Sequence, residues 1–152
     1  MRRIAIESAI YLILEEGLMI RELRIIVAGS RGFYNYRLLS DTLMDYLAEM
    51  DDKDVVDDPS QVKFISGTCR GADALGEHFA NTYEYEVIRF PAAWDIYGKS
   101  AGYRRNAEMA KYASEVYGVL FAFWDGQSRG TKHMIGLANK YGLEVHVVNY
   151  KE

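Results

Sequence analysis

Three segments of this chain could do chemistry at a phosphate, and all three are built alike. Arg24 to Ala28 is apolar and runs into Gly29-Ser30-Arg31-Gly32. Val62 to Ile65 runs into Ser66-Gly67-Thr68-Cys69-Arg70-Gly71-Ala72-Asp73. Val116 to Phe123 runs through Trp124 into Asp125-Gly126-Gln127-Ser128-Arg129-Gly130-Thr131. Each is an apolar strand that stops in a glycine loop, with a helical pattern after it. A helix start offers free backbone N–H groups and the positive end of the helix dipole. Such a place suits a phosphate or another anion. Ser30 adds a hydroxyl, and Arg31 adds a planar fork that can pair with two oxygens.

Other residues could complete such a site. Asp73 could accept from a ribose hydroxyl or a base, or it could cap its helix; the sequence leaves both open. Arg105 and Asn106 fall in the first turn of a predicted helix, where a cation opposes the dipole unless an anion sits there. Trp94 and Tyr97 could stack on a base or pack in the core. Lys99 could reach a phosphate. Gly98-Lys99-Ser100 resembles the end of a P-loop, but the glycine required five residues earlier is Ala93, so P-loop chemistry is excluded. Cys69 has no His or Asn at a diagnostic spacing and is not read as a nucleophile. His78, His133 and His146 have no metal-ligand spacing, and no metal is expected. The acids Glu49, Asp51, Asp52, Asp54, Asp57 and Asp58 read as a solvated loop.

The elements that must position these groups alternate. After an apolar and glutamate-rich helix from Ile4 to Met19, strands are expected at 24–28, 62–65, 86–90, 116–123 and 143–148. Helices are expected at 35–49, 71–83, 103–114 and 131–141, with a long loop at 91–102. Alternation of this kind implies α/β architecture. The fold class is a Rossmann-like, doubly wound, mostly parallel five-stranded sheet with an extra N-terminal helix. Residues 1–23 form a helical appendage, and residues 24–152 form the main domain. If the strand order is 3-2-1-4-5, strands one and four meet where the order reverses, and the Gly29 and Gly126 loops face each other there.

The bulk numbers narrow the classes. The chain has 152 residues and a net charge of −4. That is enough for one domain with a core, and it gives no general attraction to nucleic acid. One cysteine excludes an internal disulfide and fits a reducing, cytoplasmic setting. No apolar run reaches the roughly 18 residues of a membrane helix. Arg2 and Arg3 precede an apolar stretch, but Glu7, Glu15 and Glu16 interrupt it, against a signal peptide.

Taken in order, Gly-Ser-Arg, Gly-x-x-x-Gly-Ala-Asp, Trp-x-x-x-Gly-Lys-x-Ala-Gly-x-x-Arg-Asn-x-x-Met and Phe-Trp-Asp-Gly-x-Ser-x-Gly-Thr-x-x-Met resemble the SLOG superfamily, and within it the YspA or cpYpsA-related group. The resemblance covers Arg24 to Tyr150. It implies a Rossmann-like fold that binds a nucleotide or a nucleotide-derived ligand. The binders it implies are Gly29, Ser30, Arg31, Gly67, Gly71, Asp73, Arg105, Asn106, Asp125, Gly126, Ser128, Gly130 and Thr131; the residues themselves add Trp94 and Lys99. Related enzymes of the superfamily cleave cytokinin ribotides with a Pro-Gly-Gly-x-Gly-Thr-x-x-Glu loop whose Glu is catalytic. Here Met134 stands in that place, and a thioether is no general base.

The expectation is therefore a protein that senses or sequesters a phosphorylated, nucleotide-derived small molecule, with no resident cofactor. The alternative is an enzyme that cleaves an N-glycosidic or phosphoribosyl bond, with Asp73 or Asp125 as the catalytic acid. A third reading, from a remote SLOG relative that handles single-stranded DNA, is a DNA-binding protein; the acidic chain argues against a nucleic-acid partner. The apolar residues on several faces of the N-terminal helix suggest a homo-oligomer.

Overall fold

The computed structural model describes residues 22–150. The N-terminal helix of the sequence reading, and the subunit contact expected of it, lie outside those residues. Five strands form one sheet: β1 (Leu23–Gly29), β2 (Val62–Ser66), β3 (Glu86–Arg89), β4 (Tyr117–Trp124) and β5 (Glu144–Asn149). Their order is β3-β2-β1-β4-β5, and every pairing is parallel. This is a Rossmann-like α/β arrangement, with order reversal between β1 and β4.

The central strands are apolar on both faces because helices cover both. Seven of the eight residues of β4 are buried, all but Trp124. That continuous run is what a two-sided sheet requires. On one face, α1 (Tyr36–Asp52) and α2 (Ala72–Thr82) pack against Ile25, Val27, Phe64 and Phe121. On the other, α4 (Ala101–Ala113) and α5 (Arg129–Lys140) pack against Ile26, Ala28, Leu120 and Ala122. Leu39, Leu43, Tyr46, Leu47 and Met50 make the buried stripe of α1, at the three- and four-residue spacing of one helix face. No helix of the described residues is long and apolar enough to cross a membrane.

Three boundaries differ from the sequence reading in ways that matter. The segment expected as a loop at 91–102 contains a short helix, α3 (Trp94–Tyr97), and a 3-10 turn at Gly98–Ser100. Helix α4 starts at Ala101, so Arg105 lies beyond its first turn. The acidic stretch after Glu49 is solvated as read, with Asp51, Asp52, Asp54, Asp57 and Asp58 all exposed, but α1 runs on to Asp52, and Val55 and Val56 are buried in the core. Burial of the two valines anchors this loop to the core and stabilises it by about 1.5–3 kcal/mol for each.

Candidate functional site

The glycine loops after β1, β2 and β4 sit on one edge of the sheet, at the carboxyl ends of parallel strands. Ser30 ties two of them together. Its backbone N–H donates to Phe123 O at 3.0 Å, and its hydroxyl accepts from Asp125 N at 3.1 Å. The β1–β4 ladder thus continues one rung beyond the strands. Gly29 is required at this junction, because a Cβ there would lie 2.2 Å from Phe123 O. Asp125 then shapes the third loop: one carboxylate oxygen accepts from Gln127 N at 2.8 Å and Ser128 N at 2.9 Å. Ser128 caps α5 through Thr131 N at 3.4 Å. The N–H groups of Arg129 and Gly130 stand ahead of the first intrahelical bond and have no helical acceptor.

The second loop is held by charge. Thr68 sits at φ 63°, a costly conformation for a β-branched residue and one that clusters at functional sites. Its N–H donates to Ser66 Oγ at 3.0 Å, and that hydroxyl donates to Glu77 at 2.6 Å. Asp73 accepts from Cys69 N at 3.2 Å. It is not the helix cap: Gly71 is, with no side-chain bond. Burial pushes the Asp73 carboxyl up to about 6; the Cys69 N–H and the guanidinium of Arg105 pull the other way.

Arg105 is the centre of the arrangement. It is 9% exposed. Its Nε donates to Asn106 Oδ1 at 3.0 Å, and one terminal nitrogen donates to Gly67 O and, at 3.4 Å, to Phe90 O. The other terminal nitrogen has the Cys69 sulfur at 3.8 Å. Among the described residues, no carboxylate lies within ion-pair distance of this guanidinium. Gly67 makes the placement work: a Cβ there would lie 2.8 Å from the Asp73 carboxylate and 3.0 Å from the guanidinium carbon. The dipole argument made for Arg105 from sequence does not apply, since the residue is past the first turn; burial of a cation with no direct ion pair among the described residues, and with Asp73 acting only at longer range, replaces it.

Two adjacent chambers, an inner and an outer, open around Arg105. The inner one, about 90 Å³, has a floor of Ala28, Met109 and Met134, with Asp73, Ser128 and Thr131 on its walls. The outer one, about 210 Å³, is bounded by Trp94, Lys99, Gly102 and Tyr103. Arg31, Arg105, Asn106 and Gly130 line both and form the neck. Asn106 donates to Gly130 O at 3.4 Å and to His133 Nδ1 at 3.3 Å. Burial lowers the His133 pKa, which keeps its ring neutral and able to accept that bond.

Of the residues singled out from sequence, Gly29, Arg31, Asp73, Arg105, Asn106, Ser128, Gly130 and Thr131 line the inner chamber, and Trp94 and Lys99 the outer. Ser30, Gly67, Gly71, Asp125 and Gly126 do not line either; Ser30, Gly67 and Asp125 brace the loops that do. Tyr97 is engaged elsewhere, under the guanidinium of Arg104 at 4.3 Å. Sequence reasoning missed Met109, although it stands four residues after Arg105 and hence on the same helical face. It also missed Tyr103 and His133, whose rings meet edge to face at 4.5 Å. No sequence signal pairs residues on two different helices.

Comparison with known proteins agrees with this architecture. The pattern of the YspA, cpYpsA-related SLOG family matches residues 23–97. The Gene 61 protein of Mycobacterium phage D29 is 30% identical over 127 residues, which cover 80% of this chain and 93% of that protein. DNA processing protein A (DprA) from Streptococcus pneumoniae is similar in fold, with a TM-score of 0.56 at 13% identity. That match covers 90% of this chain and 52% of the other, so this chain spans about half its length. The order of motifs, the parallel sheet and the near full-length phage relative lead to one assignment: the chain belongs to the YspA, cpYpsA-related SLOG family.

Proposed function

We propose that the protein binds a phosphorylated, nucleotide-derived small molecule, with an anionic group at the neck between the two chambers. One observation carries this reading: Arg105 is a buried guanidinium with no carboxylate partner in the described residues. A buried cation whose carboxylate, Asp73, acts on it only from beyond ion-pair distance keeps part of its desolvation cost. A phosphate at the neck would supply a direct counter-charge, with Arg31, Asn106 and the start of α5 around it. Ser30 and Asp125 serve this site by fixing its loops, and Ser128, Gly130 and Thr131 by presenting the helix N-terminus. Binding without base release is the expected behaviour, because Met134 is 1% exposed on the chamber floor, where related enzymes carry their carboxylate.

A thermal-shift series with nucleoside phosphates tests the proposal. Stabilisation that grows with ligand concentration supports it, and a flat response to every phosphate compound refutes it. Chromatography of the same mixtures shows no free base if the protein only binds.

Asp73 favours a second reading. A carboxyl with a pKa of about 6 facing a chamber is fit to act as an acid near neutral pH. Base release by the wild-type protein, lost in Asp73→Asn, would establish cleavage of an N-glycosidic bond. The likeness to DNA processing protein A, with Arg31, Lys99, Arg104 and exposed aromatics on one edge, gives a third. Binding of single-stranded DNA with steep salt dependence would favour it.

A further inference from the structure

We infer that the outer chamber is a ring-reading subsite, in which Trp94 and Tyr103 take the planar base of the ligand and thereby set its specificity. This rests on the proposal that a phosphate occupies the neck. Exposed aromatics scattered singly on a surface need no explanation. These two converge on one chamber: Trp94 is 51% and Tyr103 47% exposed, and both line it.

Each ring is held by a specific feature. Trp94 lies along the start of α4, with its indole edge in van der Waals reach of Gly102: a Cβ there would lie 3.4 Å from it. Tyr103 is set edge to face against His133 at 4.5 Å, and His133 is bonded to Asn106 of the neck. The ring reader and the proposed phosphate reader are therefore joined through two contacts. The chamber walls carry three cations, Arg31, Lys99 and Arg105, and no carboxylate. Lys99 has no carboxylate within ion-pair distance among the described residues. A chamber with aromatic and cationic walls suits a flat, electron-rich ring attached to a phosphate. The inner chamber shares Arg31 and Arg105 but has two methionines on its floor, one carboxyl on its wall and no aromatic lining residue. It offers no exposed aromatic face, so the ring is assigned to the outer chamber.

The test uses ligands that differ only in the ring. Calorimetry on the whole chain compares ribose 5-phosphate with the four common nucleoside 5′-monophosphates. At least one nucleotide is expected to bind tenfold or more tightly than ribose 5-phosphate, in keeping with stacking measured at other aromatic platforms. Trp94→Leu is expected to reduce that margin, taken as the ratio of the two affinities in the same variant, to threefold or less. Tyr103→Leu should act in the same direction, and unchanged melting temperatures would show that both variants fold. If nucleotides bind no tighter than ribose 5-phosphate, or if Trp94→Leu keeps the full margin, the subsite is refuted while the phosphate site stands. If neither class of compound binds, the phosphate site falls and this inference with it.

Discussion

The cations at the amino ends of the strands and those around the chambers at the carboxyl ends are treated differently. At the amino ends of the strands, cations are matched. Arg24 bonds Glu22 and, at 2.8 Å, Glu115, and it lies 3.7 Å over the Tyr112 ring. Lys63 reaches Glu22 at 3.0 Å and Glu86 at 3.7 Å. Lys53 pairs with Glu49 at 2.6 Å. At the carboxyl ends, Arg89 pairs with Glu77 at 2.8 Å, but Arg31, Lys99 and Arg105, which line the chambers, have no carboxylate within ion-pair distance among the described residues. Asp73, which influences Arg105 and Arg31 only at longer range, is itself pushed toward its neutral form. Matched charges finish a structure. Unmatched ones at the mouth of a chamber await a partner, and this is why the functional reading rests on one end only.

The sharpest way to break the comparison is to delete one arginine from each end. Arg105→Ala should weaken binding of a phosphorylated ligand by about 2–3 kcal/mol, the scale of a lost charged hydrogen bond. Calorimetry gives that number. Arg24→Ala should leave affinity alone and lower stability by about 1–2 kcal/mol in urea denaturation, since it removes the bonds to Glu22 and Glu115 and the packing over Tyr112, while Lys63 still holds Glu22. Equal effects on affinity from both variants would erase the distinction between the ends.

A pH experiment sharpens it further. Asp73 has a folded pKa of about 6 against an unfolded value near 3.8. Between those values the folded state holds the extra proton, so stability falls as pH rises through that window. Above pH 6 the loss is complete and on the order of 2–3 kcal/mol. Asp73→Asn should flatten this part of the stability profile. Denaturation midpoints from pH 3.5 to 7 would show it, and an unchanged slope in the variant would assign the effect elsewhere.

Smaller effects follow from the loops. Ser128→Ala removes the cap of α5 and should cost about 1 kcal/mol of stability, with a weaker ligand response because the helix start loosens. Lys53→Ala, on an exposed pair at the amino end, should change stability by less than about 0.5 kcal/mol. A loss as large as that of Ser128→Ala would mean the acidic segment around Asp54 is organised by that ion pair.

Much of this molecule is written in local sequence. The apolar runs at Arg24 to Ala28, Val62 to Ile65 and Val116 to Phe123, each followed by glycine and then a helical stripe, specify parallel β–α units, because burial period and turn chemistry are properties of neighbouring residues. Given right-handed crossovers, they also place the three loops on one edge. The ordered motifs carried the family as well. Boundaries were less legible: Ala101 and Gly102 read as loop, yet they begin α4, because the buried Ala101 is packed by tertiary contact. The site itself was decided in three dimensions. Arg105 bonds a carbonyl 38 residues away at Gly67, Ser30 and Asp125 are 95 residues apart, and Asn106 meets His133 across two helices. A local pattern can supply a guanidinium, but its burial without a direct ion pair among the described residues is a property of the assembled fold. That single fact turns three weak loops into one candidate site.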